Sequence, residues 1–303
     1  MELPQQQQQK QGQEQEQESQ QIELKLIKDA PVLVFDGSYC IFHRFHATAK
    51  WLAFQREGVD IDRTKLNDDV EYVQAFTRHM MDNVKKLMKK EKVPKGNLLW
   101  CTDCKRQAIW RNDHHDDYKG GRVGGAFDPR IFRRFHTETL LMMQEQFGMQ
   151  VLDAPALEAD DLAYLVCQNL LAESATNPIC IYTNDNDYLQ LGHACIKIQN
   201  LSGKDLATRG KGTPMQNMWL KVVIGDKSDN IKSVGNKCGP KTGWSIVVAA
   251  TKENGEVDPV LIEESVRSRY GEDGITKLAQ NRSLIDMSCI PDNLRPNITV
   301  VYK

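Results

Sequence analysis

Val32-Leu33-Val34-Phe35-Asp36-Gly37-Ser38 is the stretch that decides the architecture of this chain. Its apolar run leaves no polar face, which is how a strand covered on both sides reads. An acid, a glycine and a serine then stop it. The pattern recurs downstream. Leu98-Leu99-Trp100-Cys101 ends at Asp103, and Gln150-Val151-Leu152 precedes Glu158, Asp160 and Asp161. Ile179-Cys180-Ile181-Tyr182 precedes Asp185 and Asp187, and Ala194 to Ile198 is expected as a short last strand.

Between these runs the spacing turns helical. Over residues 69–92, Val70, Val73, Phe76, Met80, Val84, Leu87 and Met88 share one side, and Pro94 and Gly96 close the segment. Pro129 to Phe147, stopped by Gly148, and Ala159 to Leu171 are the next helices. Strands alternating with helices predict an α/β fold with a central, mostly parallel sheet. From about residue 214 the chain reads as mainly helical: Met215 to Ile224, Lys241 to Ala250, 258–269 and 275–288, with Gly225, Gly235 and Gly239 in a connecting loop. The expected division is a Gln-rich tail (1–21), an α/β domain (22–213) and a helical region (214–303).

Ligand sites in parallel sheets lie outside the carboxyl ends of the strands. Asp36, Asp103, Glu158, Asp160, Asp161, Asp185 and Asp187 are all placed there, and Asp226 and Asp229 follow the first helix of the helical region. Carboxylates gathered in one place repel, so such a site calls for divalent cations. Oxygen-only ligands favour Mg²⁺ or Mn²⁺ over zinc. A carboxylate site holding two cations suits in-line attack on a phosphodiester. Taken singly, each Asp also fits turn-forming or helix-capping chemistry.

Residues 1–21 contain 11 glutamines and few apolar side chains, so they are expected to stay disordered unless they serve as a partner-binding tract. The net charge of −2 does not announce a polyanion binder, but its distribution does. Cys104 to Arg134 carries eight Lys/Arg against four Asp, and Lys197 to Lys241 nine against three. Both basic stretches flank acids, as in a protein that grips a polyanion beside a cutting site. The eight cysteines are scattered; Cys101 and Cys104 form a lone CxxC without a second pair at zinc spacing, and read as reduced thiols. With no signal peptide and no apolar run of ~18 residues, an intracellular, soluble protein is expected.

Residues 104–128 are basic, Gly-rich and without periodicity, the mark of a mobile loop or arch. Arg106, Trp110, Arg111, His114 and His115 interleave cations with aromatics, which suits sequence-independent single-strand binding. In Asp117-Tyr118-Lys119-Gly120-Gly121-Arg122, one helical turn would put Lys119 and Arg122 on one side, where two cations can stabilise charge developing on a phosphate. Tyr118 is a candidate for stacking on a base.

Four patterns occur in order: Phe35-Asp36-Gly37-Ser38; Glu158-Ala159-Asp160-Asp161; Thr183-Asn184-Asp185-Asn186-Asp187-Tyr188-Leu189-Gln190-Leu191; and Gly225-Asp226-Lys227-Ser228-Asp229-Asn230-Ile231. Together they resemble the structure-specific 5′-nuclease family, which comprises flap endonucleases, the 5′-nuclease domains of bacterial DNA polymerase I and phage 5′-exonucleases. The resemblance runs from about residue 31 to 288. Leu284-Ile285-Asp286 through Ile290-Pro291-Asp292-Asn293 looks most like the phage ribonuclease H branch. The resemblance implies a PIN-like fold with a helical arch. It implies two cations, Asp36, Asp103, Glu158 and Asp160 holding the first and Asp185, Asp187, Asp226 and Asp229 the second, with Asp161 further out. Tyr118, Lys119 and Arg122 match the family's Tyr-Lys-x-x-Arg segment, and Arg44 stands where relatives grip substrate.

Gly225 to Thr242 resembles the family's helix–turn–helix duplex clamp, which implies backbone-directed contacts from Lys237, Gly239, Lys241 and Thr242. Here the chain departs from the pattern. Gly235-Asn236-Lys237-Cys238-Gly239 is about one residue longer than the usual turn, and Lys232 replaces a common proline, so the K⁺ that relatives bind there is in question. The implied function is cleavage of phosphodiesters at 5′ ends, flaps, nicks or RNA primers of DNA, leaving 5′-phosphates, in replication or repair. The implied protein is a monomer of nucleoid or nucleus, virus- or phage-encoded by the branch resemblance, with a single-strand-binding protein or sliding clamp as partner. An RNA-directed 5′-exonuclease and a noncatalytic branched-DNA binder remain as alternatives. An aspartyl-nucleophile phosphatase would want Asp-x-Asp where Asp36-Gly37-Ser38 stands.

Overall fold

A computed structural model describes residues 20–121, 125, 127–174 and 176–303. In chain order the elements are β1 (Gln21–Leu26), β2 (Val32–Asp36), α1 (Gly37–Gln55), α2 (Val70–Glu91) and β3 (Leu98–Cys101). Then come α3 (Arg130–Arg134), a π turn (Phe135–Thr139), α4 (Leu140–Phe147), β4 (Gln150–Leu152), α5 (Ala159–Glu173), β5 (Ile179–Tyr182) and β6 (Ile196–Gln199). The chain ends with α6 (Pro214–Ile224), α7 (Pro240–Ala249), α8 (Pro259–Ile285) and β7 (Asn297–Tyr302). Among the described residues no helix is long and apolar enough to cross a membrane.

Five parallel strands form the main sheet in the order β4-β3-β2-β5-β6. Every residue of β2, β3 and β5 is buried, as their unbroken apolar runs require. Alternate residues serve opposite faces. Leu33 and Phe35 pack with α1, α2 and α4, while Val32 and Val34 pack with α5. Phe35 lies between Trp100 and Tyr182 of the neighbouring strands, with ring centroids 5.8 and 5.6 Å away. From β2 the chain winds outward through β3 to β4, then returns to β5 on the other side of β2. The strand order therefore reverses between β2 and β5, and a crevice opens at their carboxyl ends. Gly37 is required at this edge: a Cβ there would come within 2.5 Å of the Cys101 carbonyl oxygen.

Two expectations need correction. First, Gln21 belongs to a strand, not to the tail, and the last segment is not helical. β1 and β7 form a separate parallel pair with Gln21 opposite Asn297 and Leu26 opposite Tyr302, so the chain's end returns to the α/β part. Leu24 and Leu26 point into the α5 core between exposed Glu23 and Lys25, a period-two pattern too short to stand out beside the glutamines. Residues 1–19 lie outside the described residues. Second, the described part of 104–128 holds no arch helix. It contains two 3₁₀ turns (Arg106–Ala108 and Trp110–Asp113), and Ile109 and Tyr118 are buried in the core of the helical region. The two helices expected at 258–269 and 275–288 are both present within Pro259–Ile285, separated at Gly271, whose backbone is non-helical with φ 69°.

Candidate active site

The acids converge because the strand ends converge. Asp36 ends β2 and caps α1, its Oδ1 accepting the Tyr39 N–H at 3.0 Å. Its Oδ2 accepts the Thr183 hydroxyl at 2.7 Å, which ties the end of β2 to that of β5 across the crevice. Asp103 follows β3 and accepts the Ala159 N–H of α5 at 2.8 Å and the Ser38 hydroxyl. Asp185 follows β5 and accepts the Asp187 N–H at 3.0 Å. Asp36, Asp103, Glu158, Asp160 and Asp185 line one cavity of about 710 Å³, together with Lys119, Arg106, Phe42 and Tyr188.

A second group lies beside it. Single oxygens of Asp187, Asp226 and Asp229 fall within 4.8 Å of one another. Asp226 and Asp229 are held by a tight loop after α6, in which the Asp226 and Ile231 backbones bond each other at 2.9 and 2.7 Å. Gly225, with φ 73°, opens this loop, and a Cβ there would strike the Ile231 carbonyl at 2.4 Å. Asp36, Asp103, Glu158 and Asp160 of the first anticipated set share the cavity; of the second set, Asp187, Asp226 and Asp229 are grouped, while Asp185 lines the cavity with the first.

The electrostatics show the strain of this arrangement. Burial, reinforced by the Asp103 charge, pushes the Asp36 carboxyl up to about 7. Burial likewise pushes Asp187 up to about 6 against the pull of Lys221. Asp160 is raised well above the usual range, first by burial and then by the Asp161 charge. Asp226 moves the other way, because Lys221 and the Ser228 donors outweigh its burial. These are oxygen donors that ionise at a cost until a cation arrives. The donor set and the raised carboxyls fit divalent cations.

Lysines provide part of the missing charge. Lys119 Nζ lies 2.5 Å from Glu158 Oε1 and 3.9 Å from Asp229 Oδ2, between the two acid groups. Its backbone has φ 57°, and its N–H bonds the Asp229 carbonyl at 3.0 Å. The acids hold its ammonium charged more firmly than usual despite burial. Lys221 escaped the sequence reading. On α6 it contacts Asp187, and its Nζ is 2.5 Å from Asp226 Oδ2. The available signal was one cation amid Met218, Trp219, Val222 and Val223, about a turn before Gly225. Phe42 was also missed. It is half exposed on α1 at the cavity rim, with ring centroids 4.8 Å from Phe127 and from Phe132.

Other anticipated residues fall elsewhere. Arg111 is not a strand-binding cation: its side chain is 2 % exposed and pairs with both oxygens of Asp161 at 2.8 and 2.7 Å. It also reaches Glu158 Oε2 at 3.1 Å and the Leu284 carbonyl at 2.8 Å. Asp161 in turn is fully buried, does not line the cavity, and accepts the Trp110 indole N–H at 3.0 Å and the Glu158 N–H at 3.1 Å. It holds Arg111 and Glu158 in place, and one of its oxygens lies within 4.8 Å of single oxygens of Glu158 and Asp160. Tyr118 cannot stack on a base, because its ring is buried and its hydroxyl donates to Glu158 at 3.0 Å. Arg106 is exposed at the cavity, bonding the Lys119 carbonyl. Arg44 is half-buried on α1 and does not line the cavity. Lys237 and Lys241 are exposed, and Gly239 and Thr242 half-buried, around the start of α7. Space above Gly239 is open. Arg122 lies outside the described residues.

Fold and cavity together define an α/β protein with a buried carboxylate site suited to divalent cations. Residues 31–217 match the family described as 5′-3′ exonuclease, N-terminal resolvase-like domain, and the chain belongs to that family. A relative called 5′-3′ exonuclease from Halalkalibacterium halodurans is 27% identical over 209 residues, 66% of this chain and 64% of that one. DNA polymerase I of Streptococcus pneumoniae serotype 4 is 30% identical over 235 residues, 72% of this chain but 24% of the polymerase. The chain thus spans less than two thirds of either relative. Among solved structures, T5 5′-exonuclease with divalent zinc ions bound superposes with a TM-score of 0.60 at 16% identity, over 85% of this chain and 89% of the other. The bacteriophage T5 flap endonuclease in a complex with DNA and metal ions gives 0.57 at 15%, over 85% and 89%. These structures share the fold.

Proposed function

We propose that this chain is a divalent-metal-dependent 5′-nuclease that hydrolyses phosphodiesters at 5′ ends, flaps or RNA primers of DNA. The observation that carries the reading is Lys119 set between two buried acid groups, Glu158 on one side and Asp229 on the other. Asp36, Asp103, Glu158 and Asp160 are assigned to one cation, and Asp185, Asp187, Asp226 and Asp229 to the other. Bound divalent cations would supply Lewis-acid charge to the scissile phosphate and to the attacking water.

The chain's own residues do the rest. Water attacks phosphorus, the bond to the upstream 3′ oxygen breaks, and the product keeps a 5′-phosphate. Lys119 donates from its ammonium to a non-bridging phosphate oxygen as negative charge grows there. Arg111 and Tyr118 hold Glu158, and Asp161 holds Arg111, so the acid keeps its place when Lys119 turns to substrate. Phe42 at the rim is placed to stack on a base beside the reacting phosphate. Arg106 attracts the strand electrostatically. Lys237, Gly239, Lys241 and Thr242 grip the duplex backbone at the start of α7.

Purified protein acting on a 5′-labelled flap tests this. With Mg²⁺ or Mn²⁺, short labelled products and a new 5′-phosphate on the remaining strand are expected; with chelator, none. Undiminished cleavage in chelator, or none with either cation, refutes the reading.

A further inference from the structure

One asparagine joins two segments of the site that lie 113 residues apart in the chain. Asn230 stands in the loop after α6, next to Asp229, with a left-handed backbone at φ 61°. Its side-chain Nδ2 donates to the Asp117 carboxylate at 2.5 Å and to the Asp117 carbonyl at 3.2 Å. Its own carbonyl accepts from His115 Nε2 at 3.1 Å. One residue earlier in the loop, the Asp229 carbonyl accepts the Lys119 N–H at 3.0 Å. The stretch 115–119 is thus strapped along the loop at His115, Asp117 and Lys119 in turn.

Which side depends on the strap follows from what else holds each. The loop holds itself: Asp226 and Ile231 exchange backbone bonds, and Asp226 Oδ1 accepts both the Ser228 N–H and the Ser228 hydroxyl at 2.7 Å. Residues 115–119 lie in neither helix nor strand, and the backbone bond inside them is a turn from the Tyr118 N–H to the His115 carbonyl at 3.0 Å. Lys119 ends that stretch with φ 57°, a conformation uncommon for a lysine and kept where neighbours impose it. Asparagine suits position 230 on both counts, because it tolerates the left-handed region and carries a donor. Glycine would supply the backbone without the donor.

We propose that Asn230 is a positioning residue for phosphodiester cleavage: through Asp117 and His115 it fixes the backbone from which Lys119 reaches between Glu158 and Asp229. The inference rests on the nuclease reading above. Without the strap the Lys119 ammonium is no longer held at the spot where charge develops, and misplacing such a group slows the reaction more than it weakens binding.

The test is Asn230→Gly, which leaves the left-handed backbone accessible and removes the side-chain donor. Single-turnover cleavage of a flap with Mg²⁺ should slow about tenfold, the worth of one hydrogen bond to a charged group. Binding to branched DNA should stay within about threefold of the parent, and Mn²⁺ affinity by isothermal titration should not change. In the ion-free full chain, acetylation of Lys119 by an amine-reactive reagent, followed by mass spectrometry, should become severalfold faster relative to exposed Lys237. In a Lys119→Ala background, Asn230→Gly should slow cleavage no further, since the two residues act as one unit. Asp117→Ala, which removes the acceptor and leaves the loop intact, should also slow cleavage, and it carries the test if Asn230→Gly does not fold. A parental rate in a folded variant overturns the proposal. So does equal slowing with and without the Lys119 amine, or weakened Mn²⁺ binding, either of which would put the effect of Asn230 in the acid loop. If the parent cleaves no flap with either cation, the nuclease reading falls and this proposal with it; if the parent cleaves and Asn230→Gly matches it, this proposal alone falls.

Discussion

The gain in stability that Mg²⁺ confers should grow with pH, and the size of that growth follows from Asp36. In the ion-free fold its carboxyl sits at about 7, against 3.8 for the ordinary group. Between those values the folded chain holds a proton that the unfolded chain has released. Raising the pH through that window therefore favours unfolding when no cation is present, and the loss is complete above about pH 7. A cation on the ionised carboxylate removes this penalty. The interval from about pH 5.5 to 7 spans 1.5 pH units at ~1.4 kcal/mol each, about 2 kcal/mol. For a chain of this size that is a difference of about 5 °C in melting temperature. Asp187, raised to about 6, adds in the same direction over the lower part of the window.

The assay is thermal unfolding followed by circular dichroism, in chelator and in millimolar MgCl₂, at about pH 5.5 and about pH 8. The quantity compared is the Mg²⁺ increment at each pH, so that protonation of distant groups cancels. The increment should be larger by about 5 °C at the higher pH. Asp36→Asn, which mimics the protonated acid, should remove most of this difference and stabilise the ion-free chain at pH 8. An increment independent of pH would show that these carboxyls ionise freely, and the electrostatic account of the cavity would be wrong.

Three further outcomes are expected. Asp187→Asn should abolish flap cleavage while binding to branched DNA, measured by fluorescence anisotropy, stays within about threefold of the parent, because the lost oxygen serves an ion and not the strand. Lys119→Ala should slow single-turnover cleavage by about 10²–10³-fold with a smaller change in binding, as for a donor aimed at developing charge; an unchanged rate would remove it from the mechanism. Arg111→Met should lower unfolding stability by about 3–5 kcal/mol in urea titrations, since Asp161 would be left buried without its cation. Arg106→Met, at the exposed mouth, should change stability by less than about 0.5 kcal/mol.

Much of this molecule was legible in one dimension. The runs ending at Asp36, Asp103 and Asp185 announce buried parallel strands, because a strand covered on both faces has no polar side to show. The rule that sites open at carboxyl ends then places the acids before any coordinate is known. The helix bounds follow from local punctuation. Gly148 stops α4 with φ 65°, and Pro214 and Pro240 start α6 and α7 at positions where no N–H is needed.

Tertiary structure decided what each charge is for. Arg106 and Arg111 look alike in the sequence, yet one is exposed at the cavity and the other is sealed between Asp161, Glu158 and the Leu284 carbonyl. Nothing local separates them, because a cation's partner here lies tens to hundreds of residues away along the chain. The same holds for the contact of Lys221 with Asp187, which comes from the turn after β5, although its second acid, Asp226, lies in the loop after its own helix. It holds for Tyr118, which looked like a stacking ring and is a buried donor, and for β1, which is completed only by β7 from the opposite end of the chain. Side-chain type and period are written locally, so the strands, the helices and the supply of carboxylates could be read directly. Pairing and burial depend on which segments meet, and only the folded chain brings them together.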